Sequence, residues 1–585
     1  MLKPIETQSR QVKSLNGIWR FRADPDGIGE AERWFGRELP DARDMPVPAS
    51  YNDIVPDAEL RDHVGDVWYQ TTVWPPSEWA DRRVVLRFDG AAHRATVWVN
   101  GAKVASHHDG FTPFETDVTR WLDFGVPNRI TVELDNRLSL ATVPPGRQRA
   151  TPAGQVRQEL TAEYFHYSGL HRDVCLYTTP AEYIVDVTVT TRLDGATGLV
   201  DYRIATSQDG DVRVELRDAD GEPVAEAAGG AGTLAVSGVR PWRPGEGYLY
   251  RLGISCGADE YELPVGIRTV EVVGREFLVN GEPFTFKGVA RHEDALVRGR
   301  GYDDVVMVHD LALIEWLGAN SLRTSHYPHA EAVLDYADRH GLLVIDETCA
   351  GMLNLAMDFG PGNGSSPGTF GPDGFGDAAR DACTAAVRAM IDRDKNHPSV
   401  VMWCLSSQPD AAAEGAREFI EPVVAAARSA DPTRPVCHTN VFLAPVERDR
   451  ITDLFDVVCL NRYQGWYLHG GDTASAELTL KSELDDWADR FDKPILITEC
   501  GAEALPGLHD TVATMWTEEY QSEVLALIAR VAAAHPAVVG QHVWNFADFR
   551  TVPGVMAPGG NRKGLFGLDR KPKNAAFTMR RLWTA

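Results

Sequence analysis

Five polar or aromatic clusters end apolar runs in the second half of the chain: Asp346-Glu347, Ser407-Gln408, Asn461-Arg462-Tyr463, Glu499 and Trp544-Asn545. Carboxylates supply nucleophiles and proton carriers, amides hydrogen-bond hydroxyls, and aromatic rings stack on flat apolar faces. No His/Asp/Glu set among them has metal-ligand spacing, and no Gly-rich phosphate loop follows any of the runs. A set of acids, amides and aromatics with neither metal nor nucleotide suits sugar chemistry, in which two carboxyls would cleave a glycosidic bond. Position alone divides Glu499 between that role and structural pairing, because Gly501 follows it closely.

Such clusters act together only if the chain brings the run ends to one mouth. The runs LLVIDE (342–347), VVMWCL (400–405), DVVCLNRY (456–463), PILITE (494–499) and VVGQHVWNF (538–546) alternate with helical stretches such as AEAVLDYADRHG and AREFIEPVVAAARSA. Continuous apolar strands between helices indicate a parallel sheet covered on both faces, and about 300 residues of the pattern suit a (β/α)₈ barrel over 273–585. In that fold the carboxyl ends of the strands carry the site. Upstream the pattern is β. Residues 1–180 show short strands (VWYQTTVW, RVVLRF, ATVWVN, RITVEL) broken by Asp89-Gly90 and Asn100-Gly101, the spacing of a sandwich. Residues 181–272 (DVTVTTRL, DYRIATS, DVRVELRD, YLYRLGI) read as a second sandwich of immunoglobulin size.

The formal charge of −26 over 585 residues argues against nucleic acid and anionic membranes as partners. No segment approaches ~18 uninterrupted apolar residues, and MLKPIETQSRQVKSLNG lacks the apolar core of a signal peptide, so the expectation is a soluble cytoplasmic protein. The eight cysteines stand singly, without C-x-x-C, and read as small buried hydrophobes, not as disulfide or zinc ligands.

The stretches NGEPFTFKGVARHED, GANSLRTSHYPHAEAVLDYADRHGLLVIDET, RDKNHPSVVMW, LNRYQGWY, ITECGAEALPGLH, VWNFADF and GGNRKGLFGLDRKPK resemble, in order, the β-glucuronidases of glycoside hydrolase family 2. MPVPASYND, VWYQ, HDGFTPFETDVT and FHYSGLHRDV extend the resemblance over nearly the whole chain. It implies an N-terminal jelly-roll-like sandwich, an immunoglobulin-like sandwich and a catalytic TIM barrel, and dimers or tetramers. It implies a retaining exo-β-glucuronidase that cuts terminal β-D-glucuronides through a covalent glycosyl-enzyme, with no cofactor and no metal. A β-galacturonidase and a non-catalytic carbohydrate-binding relative stay open as alternatives.

Carried over by position, Glu499 in ITECG matches the nucleophile, while MWCLSSQPD puts Gln408 where the acid/base glutamate belongs and Ser407 where its neighbouring Asn belongs. An amide neither donates a proton near neutral pH nor acts as a base, and that help is worth ~10²–10⁴ in rate, so a poor hydrolase of unactivated glycosides is expected. Two origins are open for Gln408: deliberate replacement of a glutamate, favoured by the retained Glu499 and mouth, and natural divergence, to which Ser407 points.

Asn561 and Lys563 match the pair that clamps a uronate, although the family's Arg four residues before that Asn is Ala557 here. Trp544 matches the aromatic floor, Tyr463 and Tyr467 the pocket wall, and Glu163 an Asp that reaches in from the first sandwich; Gln464 replaces a Tyr at the rim. Asn461 and Ser407 join the sugar-binding set, as does His326. Arg323, Asp346, Glu347 and Glu293 are candidates for contacting sugar or for supporting residues that do. The Gly/Pro/Ser-rich segment 351–382 is expected to shape the aglycone side. Between Asn561 and Lys573 five cations face one acid, a local balance of +4 that suits an anionic sugar.

Overall fold

The computed structural model describes residues 1–357, 368–552 and 557–585. The first region packs a four-stranded sheet against a six-stranded one, all neighbours antiparallel. The run read as RVVLRF is the strand Arg83–Phe88, between Val174–Thr179 and Phe114–Asp117. Phe21, Tyr69, Val84, Leu86, Val97, Val132 and Leu176 interleave between the sheets as their common core. A hairpin of Gly146–Ala150 and Val156–Leu160 leaves this sandwich, and the chain after it enters the barrel core with Ala162 and Tyr164. That excursion carries Glu163. Seven further strands, three facing four, form the immunoglobulin-like domain around Val187, Val200, Leu216, Leu252 and Ile254.

Eight parallel strands close the barrel: β1 (Phe286–Arg291), β2 (Ser321–Thr324), β3 (Leu343–Glu347), β4 (Val400–Ser407), β5 (Val436–Val441), β6 (Val458–Asn461), β7 (Ile495–Glu499) and β8 (Val538–Val543). The helices around them are α1 (Asp304–Trp316), α2 (Glu331–His340), α3 (Asp377–Asp394), α4 (Ala416–Ala430), α5 (Thr473–Arg490), α6 (Glu518–Ala534) and α7 (Asn574–Thr584). Asp303 starts α1 by accepting from the amides of Val305 and Val306, and Gly341 ends α2 in the left-handed region at φ 69°. Between β5 and β6 there is only the 3-10 turn Thr452–Leu454. Among the described residues no helix is long and apolar enough to cross a membrane.

All eight cysteines are free thiols, seven of them buried, in keeping with their reading as packing residues. The segment 351–382 lies partly outside the described residues, at 358–367. Its opening is anchored, because Met352, Leu353 and Leu355 pack into the barrel core.

At the amino end of the barrel, Asp335, Asp338 and His397 bring ligand-type atoms within 4.8 Å of one another. Lys3 is ion-paired with Asp335, and His397 Nδ1 meets Asp338 Oδ2 at 2.6 Å. Burial opposes charge on His397, but Asp338 and then Asp335 outweigh it and raise the imidazole from 6.5 to about 9. A raised folded value means that the protonated pair stabilises fully below pH 6.5 and loses that contribution as pH climbs through about 9. Thermal unfolding of the protein and H397Q across this range should show a gap that shrinks by about 3 kcal/mol on the alkaline side. A pH-independent gap would contradict the pairing.

Candidate active site

Glu499 is the last residue of β7, in register with Asn461 on β6, and only 2% exposed. Gly501 lets the chain turn away behind it: at φ 153° a Cβ there would meet the Trp544 carbonyl oxygen at 2.7 Å. Three side chains donate to the Glu499 carboxylate. Tyr463 OH reaches Oε2 at 2.7 Å, Gln408 Nε2 reaches Oε2 at 3.3 Å, and Arg323 Nη2 holds Oε1. Burial and then the neighbouring Glu499 push the Tyr463 phenol well above its usual range, so it stays a donor.

Behind this carboxylate Arg323 also binds Glu347, which takes His326 Nδ1 at 2.6 Å and the Cys404 thiol at 3.2 Å. Burial disfavours charge on Glu347, but Arg323 and His326 outweigh it and hold its carboxyl down to about 2. The ionised Glu347 can only accept, so His326 carries a proton on Nδ1 and presents Nε2 toward Glu499 Oε1, 4.0 Å away. Trp544 lies across His326, with ring centres 4.8 Å apart and planes 28° from parallel, as a buried aromatic floor.

Gln408 follows β4 with φ 50°, an uncommon value for a residue with a side chain. Thr439 on β5 holds it there. Gln408 N donates to the Thr439 carbonyl at 2.8 Å and to its Oγ1 at 3.2 Å, and Oγ1 also meets Ser407 Oγ at 3.1 Å and Asn461 Nδ2 at 3.2 Å. The Gln408 amide turns its nitrogen to Glu499, since the oxygen would confront a carboxylate.

Across the mouth from Glu499, Lys563 Nζ donates to Glu503 Oε1 and to Tyr467 OH, both at 2.8 Å. Burial alone would discharge it, yet Tyr467, Glu503 and Glu163 together keep its ammonium above the usual lysine range. Asn561 Oδ1 accepts from Lys563 N at 3.0 Å, and Asn561 Nδ2 reaches Glu163 Oε2 at 3.4 Å. Lys563 Nζ is 5.5 Å from the Tyr463 ring centre, and the Tyr463 hydroxyl is on Glu499. Tyr463 thus lies between the Lys563 ammonium and the Glu499 carboxylate.

Gln408, Glu499, Tyr463, Tyr467, Lys563, Asn561, Glu163, His326 and Trp544 therefore converge on one mouth. Ser407 and Asn461 lie in its wall, fully buried on Thr439, and Asn461 Oδ1 also accepts from Thr498. One expectation needs correction, and two candidates have supporting contacts. Gln464 is not at the rim; it is buried and donates to Glu483 on α5, behind the barrel wall. Asp346, one residue from Glu347, points to the other face of β3 by strand alternation and bonds Thr324 Oγ1. Glu293 pairs with Arg172 of the first sandwich at 3.0 Å and caps the Ala330 amide, so its contacts join domains.

The +4 stretch is not a basic patch either. Acids from outside the stretch answer four of the five cations: Asp548 meets Arg562 and Lys573, Asp310 meets Arg570, and Glu503 meets Lys563, while the local Asp569 meets Lys571. Folding cancels a charge that looked local in sequence. The reading of the sequence also missed Glu503 and Thr439. Glu503 stands four residues after Glu499 in GAEA, a weak signal, and Thr439 lies on a strand that the apolar pattern does not show.

Buried atoms without a partner in the protein cluster at this mouth: Gln408 Oε1, Glu503 Oε2, His326 Nε2, Trp544 Nε1 and Asn545 Nδ2. Buried polar atoms are rarely left unpaired, so a polar ligand with several hydroxyls suits the recess. Residues 12–180, 182–268 and 270–585 match, in turn, the sugar binding domain, the family as such and the TIM barrel domain of the glycosyl hydrolases family 2. The chain belongs to glycoside hydrolase family 2. Among its relatives in that family is a β-glucuronidase of Paenibacillus borealis, 44% identical over all of this chain and 98% of its own. The β-glucuronidase of Homo sapiens is 40% identical, over all of this chain and 92% of its own. Solved family 2 structures that it resembles include a β-glucuronidase from an uncultured Clostridium sp., with TM-score 0.95 and 41% identity over all of this chain and 99% of that one. Another is the Ruminococcus gnavus β-glucuronidase in complex with D-glucuronic acid, with TM-score 0.94 and 36% identity over the same shares. The family 2 frame thus accounts for the three domains.

Proposed function

We propose that this chain is a retaining exo-β-glucuronidase in which Glu499 is the nucleophile, Gln408 occupies the acid/base position, and Lys563 with Asn561 holds the C6 carboxylate. The single observation that carries this reading is the 3.3 Å approach of Gln408 Nε2 to Glu499 Oε2. An inverting enzyme keeps its two groups about 6.5–9.5 Å apart to seat a water between them; side chains in hydrogen-bond contact leave no such gap. Relatives named as β-glucuronidases that match along all of this chain support the uronide assignment. So does a buried, charged Lys563 on the far side of Tyr463 from Glu499.

In the forward reaction Glu499 attacks the anomeric carbon from the α face and the aglycone leaves. Water then displaces Glu499 from the same side on which the aglycone departed, so the first product is β-glucuronic acid. Proton NMR during hydrolysis of an aryl β-glucuronide should show that anomer first; initial α product would refute the proposal. The same assay with the matching β-galacturonide and β-glucoside tests the sugar.

Lys563→Ala should raise KM for glucuronides by about 10–100-fold, the worth of one charge-assisted contact, and affect a β-glucoside far less. An equal loss on both sugars would assign Lys563 to holding Glu503 and not to the uronate.

A further inference from the structure

We propose that the chain as it stands selects glucuronides by the acidity of their aglycone, taking those that depart as stable anions: acyl glucuronides and glucuronides of electron-poor phenols. This inference rests on the glucuronidase reading above and specifies its substrate class. The group facing Glu499 is an amide, and among the described residues that touch that carboxylate none can deliver a proton. Tyr463 is held well above its usual phenol range, and Arg323 is a cation bound to two carboxylates. The carboxylate of Glu347 is already occupied by Arg323, His326 and Cys404.

The backbone at this amide is fixed. Ser407 departs from the family pattern together with Gln408, and both lie on Thr439, which fixes the Gln408 backbone and the Ser407 hydroxyl. Gln408 thereby offers an N–H toward the reacting centre and leaves Oε1 buried without a partner. In the first step Glu499 Oε forms a bond to C1, the C1–aglycone oxygen bond breaks, and its electron pair leaves with the aglycone. The Gln408 N–H can hydrogen-bond that anion but transfers no proton. In the second step a water oxygen attacks C1 and the C1–Glu499 bond breaks. Its pair returns to the carboxylate, and the surplus proton passes to solvent. Gln408 Oε1 can align that water but cannot deprotonate it. The second step is therefore slow and the glycosyl-enzyme accumulates.

The test compares phenyl, 4-nitrophenyl and 2,4-dinitrophenyl β-glucuronides, and a benzoyl β-glucuronide, with the protein and its Gln408→Glu variant. kcat/KM is read because it reports the first step. The protein should prefer the dinitrophenyl over the phenyl compound by about 10²–10⁴-fold more than the variant does, the size of the missing general-acid help. Rapid mixing of the unmodified protein with the dinitrophenyl compound, which needs no variant, should release a burst of one phenolate per active site. Preference ratios within a few-fold of each other, or release without a burst, would overturn the inference. Inactivity of both proteins on every glucuronide would instead overturn the glucuronidase reading beneath it.

Discussion

Glu499→Gln is expected to lower hydrolysis of 2,4-dinitrophenyl β-glucuronide by on the order of 10⁴–10⁶-fold, with KM changed far less. The side chain keeps its shape, and Arg323 keeps Glu347 as a buried counter-charge, so folding should survive. What disappears is the anionic oxygen that forms the covalent bond. The size follows from the activated substrate: its leaving group needs no acid, so the nucleophile carries the catalysis that this chain retains. Azide adds a stereochemical readout. With Glu499 in place, azide intercepts the glycosyl-enzyme and gives the β-azide. With Glu499 shortened to Ala, azide enters from the vacated α face and gives the α-azide. A β-azide from the Ala variant would mean that another residue forms the intermediate.

Gln408→Glu is the second large effect, in the opposite direction. Hydrolysis of phenyl β-glucuronide should rise by about 10²–10⁴-fold. The new carboxyl would stand where the amide now lies 3.3 Å from Glu499. Two carboxylates that close cannot both ionise cheaply, so one pKa is driven up. Arg323 and Tyr463 both bind Glu499, which fixes it as the ionised partner and leaves the residue at 408 as the acid. The unmodified protein has no titrating acid at that position, so its kcat/KM should hold level toward alkaline pH, whereas the variant's should fall as its acid deprotonates. A variant with no gain and no alkaline limb would place the acid elsewhere.

How far the fold could be read from sequence depended on which way each strand's polar residues point. RVVLRF, LLVIDE, VVMWCL, PILITE and AREFIEPVVAAARSA all fell within a few residues of real elements, because burial on both faces, or a helical stripe, leaves a continuous apolar signature. The strands β1, β2 and β5 were invisible to that pattern. They read FKGVAR, SLRT and VCHTNV, and every one of these residues but Lys287 is buried. Arg291, Arg323 and Asn440 point into ion pairs and hydrogen bonds with Asp310, Glu499 and Asp449. A buried polar network is tolerated in the fold once satisfied, but it erases the hydrophobic rhythm. The site divided similarly. Glu499, Gln408 and the Asn561/Lys563 pair stood out by motif, while Glu503 and Thr439 act only through contacts that sequence does not display. The basic stretch up to Lys573 misled for the same reason, since its counter-charges come from other segments.

The most direct test of the account is to trap the covalent step. The protein is incubated with 2-deoxy-2-fluoro-β-glucuronosyl fluoride, whose fluoride leaves without an acid, and is then digested and mapped by mass spectrometry. The account predicts one glycosyl adduct per chain on the peptide containing Glu499, lost in Glu499→Gln. An unlabelled protein that still turns over dinitrophenyl glucuronide, or a label on any other residue, would contradict it.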